Sequence, residues 1–184
     1  MDKLLLHTCC APCSIAIIDE LRQKFIVTVF FYNPNIYPEE EYLKRKKEVI
    51  RVCKEWGVSM VDMDYETEIW RNKINGLENE PEGGVRCAQC FKMRLNKTAY
   101  YAKQNGFNYF ASSLTSGRNK DAEIINPLGD ALGVFYNVNY YAEDWKKNGR
   151  QEKSRKMIED RGIYRQNYCG CIYSLQNSLQ RKKD

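Results

Sequence analysis

Residues 3–14, KLLLHTCCAPCS, decide how the rest of this chain is read. Lys3–Thr8 is a short apolar run carrying Leu4, Leu5 and Leu6, and it reads as a strand. Pro12 suits the first turn of a helix, because its fixed φ and missing N–H cost nothing there. The segment therefore predicts strand, short loop and helix. Cys9 and Cys10 fall in the loop, and Cys13 falls where the helix dipole favours a thiolate.

Outward from this unit the same alternation continues. Phe25–Tyr32, Ser59–Asp64, Asn108–Ser112 and Val134–Val138 read as further short strands, rich in Val, Ile and aromatics. Pro38–Trp56 reads as a helix with Tyr42, Val49, Val52, Cys53 and Trp56 near one face and Gly57 as its stop. A second helix is expected from about Ala88 to Asn105, ending at Gly106. The pattern predicts an α/β fold, a mostly parallel sheet flanked by helices, in a single domain over residues 1–184. Such sheets place ligands beyond the carboxyl ends of their strands. The loops that start at Cys9, at Asp64 and in SSLTSGRNK are expected to meet in one crevice.

The eight cysteines are unevenly spread. Cys9, Cys10 and Cys13 form C-C-x-x-C, Cys87 and Cys90 form C-x-x-C, Cys169 and Cys171 form C-x-C, and Cys53 stands alone. No signal-like or membrane-length apolar run is present, so the chain is expected in the cytoplasm with its thiols reduced. Clustered thiolates suit zinc or iron–sulfur chemistry. A structural zinc site needs four ligands, and a thioredoxin-like dithiol explains only one cluster. A [4Fe–4S] cluster takes four thiolates and leaves three for a second metal or for catalysis. Two adjacent cysteines point in different directions, so Cys9 and Cys10 are expected to serve two neighbouring centres.

Other residues carry both a chemical and a plain reading. Cys53 reads as a buried thiol, and His7, the one histidine, as a structural or proton-donating group beside the cysteines. Asp64 is a candidate metal ligand or general acid, against a helix cap or surface charge. Glu80, Glu82 and Arg86 precede the C-x-x-C, either catalytic or paired with one another. Ser112, Ser113, Thr115, Ser116, Arg118 and Lys120 form a donor-rich turn suited to phosphate. No GxGxxG or Walker motif indicates a nucleotide cofactor. The net charge of +5 gathers at Lys44–Lys47, at Lys146, Lys147 and Arg150, at Lys153, Arg155 and Lys156, and at Arg181–Lys183. With 13 tyrosines and three tryptophans, this suits RNA, although each cluster also reads as a solvated helix face.

With these segments in place, the sequence resembles the QueH family of epoxyqueuosine reductases over nearly its full length. The resemblance rests on LHTCCAPCS, FYNPNIYPEEEYLKRKKE, EPEGGVRCAQCFKMRL, ASSLTSGRNK and IYRQNYCGCIYS. It implies a HUP-like fold and an iron–sulfur enzyme that completes queuosine in the anticodon of certain tRNAs without cobalamin. On that basis Cys10, Cys87, Cys90 and Cys169 are assigned to a [4Fe–4S] cluster. Cys9, Cys13, Cys171 and Asp64 are assigned to an adjacent mononuclear metal, expected to be iron. Asp64, His7 and Lys120 are the catalytic candidates. Tyr140, Tyr141, Trp145, Tyr164 and Tyr168 are candidates for base stacking or for lining the pocket. Lys120, Lys146, Lys147, Arg150 and Arg165 are candidates for phosphate contacts. The expected partners are the anticodon stem-loop of a tRNA carrying epoxyqueuosine and an external electron donor such as a ferredoxin or flavodoxin, with no membrane and a monomeric protein. Two other readings stand beside this one: an iron–sulfur tRNA sulfur-transfer enzyme, and a non-catalytic, zinc-stabilised RNA-binding module.

Overall fold

A computed structural model describes residues 1–181 as one parallel sheet with helices on both faces. The strands are β1 (Lys3–His7), β2 (Ile26–Phe31), β3 (Ser59–Asp62), β4 (Tyr109–Ser112) and β5 (Asn139–Tyr140), in the spatial order β3-β2-β1-β4-β5. Leu4 pairs with Val27 on one side and Tyr109 on the other, so β1 is central. The chain steps outward from β1 through β2 to β3 and then returns to β1's other edge as β4. That reversal makes the β1–β4 gap the topological switch point, where sheets of this type hold ligands.

The helices are α1 (Ala11–Leu21), α2 (Glu39–Trp56), α3 (Thr67–Lys73), α4 (Val85–Gln104), α5 (Ala122–Tyr136), α6 (Arg150–Arg161) and α7 (Ile172–Gln180). Alternate residues of a strand face opposite sides, and β1 shows this directly. Leu4 and Leu6 pack with Ile15, Ile18, Val49 and Val52 of α1 and α2. Leu5 packs on the other face with Phe91, Leu95 and Ile125 of α4 and α5. Cys53 lies in the first of these cores, and burial pushes its thiol up to about 11, as a plain core cysteine requires.

α2 ends as expected at Gly57, whose left-handed φ of 63° caps the helix. The expected strand at Val134–Val138 is a correction. Val134 to Tyr136 form the last turn of α5, Asn137 caps it in the left-handed region, and the strand is the next pair, Asn139–Tyr140. Val134 and Phe135 are 85% and 76% exposed, so their apolar character is not a sign of burial in the sheet. α6 had no apolar stripe to announce it, since Ile158 is its one buried residue. It is fixed to α1 by polar contacts instead: Arg150 to Glu20 (2.8 Å), Lys153 to Asp19 (2.8 Å) and Ser154 Oγ to the Pro12 carbonyl (2.8 Å).

Among the described residues, no helix is long and apolar enough to cross a membrane. Of the basic Arg181–Lys183 cluster, Lys182 and Lys183 lie outside the described residues.

Candidate metal centre

All three cysteine groups stand at helix N-termini, where the dipole and the unsatisfied N–H groups favour a thiolate. Cys10 is the N-cap of α1 and makes no side-chain bond to its own helix, which leaves the sulfur free. Cys87 lies in the first turn of α4 and accepts from the Gly83 N–H at 3.2 Å; Cys90 follows one turn later on the same face. Cys171 is the N-cap of α7 and accepts from the Ser174 N–H at 3.5 Å. All eight thiols are free of disulfides.

The sulfurs of Cys9, Cys10 and Cys13 lie within 4.8 Å of one another, the one such trio of potential ligands among the described residues. Cys9 and Cys10 are 3.7 Å apart, so the two neighbouring sulfurs converge on one side of the chain. The extended N-cap backbone at Cys10 (φ −170°, ψ 158°) accompanies this convergence of the two side chains. Cys90 and Cys171 pack together with Trp70 and Ile74. Cys169 bridges the two groups electrostatically, since it feels both Cys171 and Cys9.

Cations replace carboxylates around these thiols. Lys120 is 6% exposed, and its Nζ reaches Cys9 Sγ at 3.8 Å. Burial opposes its charge, yet the facing thiolates outweigh that and raise its pKa. Arg94, 1% exposed, donates to Asn33 Oδ1 at 2.7 Å, and burial of its charge is offset first by Cys90. Hydrogen bonds from Cys10 and Cys13 hold the Cys9 thiol well below its ordinary value, while burial pushes Cys10 up.

His7 is fully buried, with Nδ1 3.0 Å from Ser112 Oγ. Its Nε2 lies 3.1 Å from the Tyr32 carbonyl and 3.3 Å from Arg94 Nε, and serves one of them at a time. Burial, then the Arg94 charge, lower its pKa to about 3, so the ring is neutral and holds β1 against β4 and α4. It has no proton to give as an imidazolium at neutral pH.

Asp64 is exposed beyond the end of β3 and influences Tyr42, away from the thiols. In the sheet, β3 is an edge strand two positions from β1, roughly 10 Å away at the usual strand spacing. The crevice therefore draws on the ends of β1 and β4 and not on β3. Arg86, 3% exposed, donates to the carbonyls of Leu77, Glu78 and Glu80, and so shapes the loop before α4.

The crevice above the thiols has a volume of about 810 Å³, and its walls include Cys9, Cys13, Cys169 and Lys120. Of the residues expected on the RNA, Tyr140 packs on Phe110 and donates to Asn126 Oδ1, and Tyr141 packs on Phe25 and Trp145. Trp145, 2% exposed, forms part of the crevice wall while donating to the Ser112 carbonyl at 2.9 Å. Arg150 also lines the wall but is committed to Glu20 and Glu143. Lys146 donates to the Lys120 carbonyl at 2.8 Å, and Lys147 faces Asp144 at 3.7 Å. Tyr164 and Tyr168 are tied by their hydroxyls to Glu41 and to the Tyr37 carbonyl. Arg165 is exposed at the crevice, as are Arg118 and Arg155, and the structure adds Gln166, which sequence reasoning had not singled out. Arg118 stood in a flagged turn, but Arg155 sat in a run that reads equally as helix surface.

The residues fit a sulfur-rich anionic group. The Trp70 indole N–H is buried beside Cys90 and Cys171 with no partner among the described residues. Buried donors need acceptors, and a sulfide or metal-bound thiolate would be one. Lys120 likewise faces the Cys9 sulfur.

Fold and site together define a parallel α/β protein with a trio of converging thiols suited to holding a metal. A family model described as "Epoxyqueuosine reductase QueH" matches residues 4–177, and the chain belongs to that family. Proteins named epoxyqueuosine reductase QueH from Acinetobacter baylyi and Histophilus somni are 44% and 43% identical to it over 179 residues, covering 96% of this chain and 82% and 74% of theirs. The one from Thermotoga maritima is 33% identical over 178 residues, covering 95% of this chain and 91% of its own. Among solved structures, the U34-tRNA thiolase NcsA of Methanococcus maripaludis, with its [4Fe-4S] cluster, matches with a TM-score of 0.59 at 10% identity, covering 99% of this chain and 66% of that one. A predicted tRNA methyltransferase subunit from Methanocaldococcus jannaschii matches with a TM-score of 0.54 at 12% identity, covering 89% and 90%. These two establish the fold.

Proposed function

We propose that this chain is an epoxyqueuosine reductase, an oxidoreductase that converts epoxyqueuosine at the wobble position of tRNA to queuosine, the last step of queuosine biosynthesis. The observation that carries the reading is the meeting of three cysteine segments beside two buried cations in a chain of this family. The reaction breaks both C–O bonds of the epoxide and forms the ring alkene. Two electrons and two protons enter, and the oxygen leaves as water. A [4Fe–4S] cluster held by these thiolates, with a neighbouring iron and no cobalamin, would supply electrons singly and a Lewis-acid site.

The chain's own residues do the rest. Cys9, Cys10 and Cys13 act as one ligand set, and Cys87, Cys90, Cys169 and Cys171 supply the other thiolates. Lys120 holds a proton at Nζ beside Cys9, facing the crevice, and delivers it to the departing oxygen. A crevice of about 810 Å³ is of the size that takes a single small ligand, so one nucleotide splayed out of an anticodon loop is the fitting occupant. Exposed Arg118, Arg155 and Arg165 at the crevice meet the flanking phosphates. The protein works as a single cytoplasmic domain and a monomer, taking electrons from a ferredoxin- or flavodoxin-like donor.

Two measurements test this reading. Protein purified without oxygen should contain about four to five irons and four or more sulfides per chain, with a bleachable band near 400 nm. Cys10→Ser and Cys13→Ser should each lose both iron and turnover; one zinc and no sulfide in the parent protein would sink the reductase reading. Binding of the anticodon stem-loop should weaken with salt, by a slope of roughly 0.7 per phosphate neutralised. Triple replacement of Arg118, Arg155 and Arg165 by Gln should flatten that slope by about two, and an unchanged slope would move the RNA to another face.

A further inference from the structure

Gln166 belongs to no helix or strand, yet it is held firmly. Two residues before it, Tyr164 Oη donates to Glu41 Oε2 at 2.8 Å; two residues after it, Tyr168 Oη donates to the Tyr37 carbonyl at 2.5 Å. Arg45 then grips the Cys169 carbonyl at 2.8 Å. Between these pins the Gln166 amide reaches across to the first cysteine segment, with Nε2 2.9 Å from Cys10 Sγ and 3.8 Å from Cys13 Sγ. A thiolate sulfur only accepts, so the nitrogen end faces the thiols. The other end, Oε1, is buried with no hydrogen-bond partner among the described residues, and Gln166 lines the crevice. A buried acceptor left unpaired is costly, and an incoming donor would offset that cost.

We infer that Gln166 is a positioning residue that joins the substrate to the metal centre: its N–H holds the Cys10 sulfur, and its carbonyl oxygen accepts from a hydroxyl of the substrate. The substrate half of this inference rests on the reductase reading; the sulfur half does not. Hydrogen bonds to ligating sulfurs are among the levers that set a cluster's reduction potential. An N–H···S bond favours the reduced state, because added negative charge strengthens it. A hydroxyl donating to Oε1 polarises the amide and makes its N–H a better donor. Substrate in the crevice therefore makes the centre easier to reduce. By reciprocity, the reduced centre holds substrate more tightly.

The test is a potentiometric titration of the iron-loaded full chain, followed by electron paramagnetic resonance, with and without an epoxyqueuosine-bearing stem-loop. Gln166→Met removes both ends of the amide at similar size, and Gln166→Glu keeps an acceptor but loses the N–H. Both variants should keep wild-type iron, sulfide and melting temperature, and both should show a more negative midpoint potential without RNA. Added stem-loop should raise the potential of the parent protein and leave that of Gln166→Met unmoved. With Gln166→Met, kcat/KM should fall about tenfold, as for one lost hydrogen bond, with part of the loss seen as a raised KM. Wild-type potentials in both variants, or loss of iron from both, would overturn the inference. Shifted potentials in a protein that fails to reduce epoxyqueuosine would overturn the reductase reading and leave the N–H···S role standing.

Discussion

Lys120→Met should lower turnover by about 10²–10³-fold while iron and sulfide stay near their wild-type content. The side chain has the three properties of a local acid. It is buried at 6% exposure, it lines the crevice, and its ammonium faces the Cys9 sulfur at 3.8 Å. Burial alone would neutralise such a lysine, but the thiolates opposite keep it charged, so the proton is present at neutral pH. An oxygen breaking away from carbon is far more basic than an amine and can take that proton. The backbone of Lys120 is independently anchored, its carbonyl accepting from Lys146 Nζ at 2.8 Å, so the substitution leaves the loop in place. Lys120→Arg separates two roles. It keeps the charge facing Cys9 but binds its proton too tightly to act as an acid. If Lys120→Arg restores turnover, the lysine serves by charge alone. The decisive experiment is single turnover with a strong chemical reductant, which removes the electron donor from the comparison.

Arg45→Met should cost about 3–5 kcal/mol of stability, seen as a fall in melting temperature of about 10 °C, and should release iron to a chelator. Arg45 is 1% exposed and pairs with Glu41 at 2.7 Å. Its remaining N–H groups grip the carbonyls of Cys169 (2.8 Å) and Tyr168 (3.2 Å). It thus carries the last cysteine segment, which has no strand of its own, on the side of α2. Gly170 completes the clip: its φ is 145°, and a Cβ there would stand 3.1 Å from the Arg45 guanidinium. Removing Arg45 leaves the Glu41 carboxylate buried without its cation and frees two carbonyls, the costliest way to break such a pair. Urea denaturation of the metal-free protein isolates the stability term, and chelator challenge of the loaded protein isolates retention of iron. A variant that melts early but keeps its iron would show that the C-x-C segment is held by the metal and not by the clip.

What sequence could say about this chain followed from local rules. The three leucines of β1, Pro12 at the start of α1 and Gly57 at the end of α2 act over a few residues, and each stands where its own chemistry puts it. The thiol segments were legible for the same reason, because clusters this dense have few uses. What depended on packing was not legible. Val134 and Phe135 are apolar but face solvent at the end of α5, and no periodicity distinguishes that from a strand. α6 buries one residue and is held by ion pairs to α1, partners that lie far off in the chain.

The amino-acid sequence by itself determined the parallel α/β plan, the family and the three thiol clusters, because periodicity, capping and ligand chemistry are properties of neighbouring residues. The tertiary structure alone decided which groups share the crevice. It set β3, with Asp64 just beyond it, at the sheet edge, and it buried His7 among Ser112, the Tyr32 carbonyl and Arg94. It also set Cys9 beside Cys10 and brought Arg45 and Gln166 to the thiols across more than a hundred residues of chain. Those placements come from strand order and helix packing, and no short stretch of sequence records which distant segment will close over it.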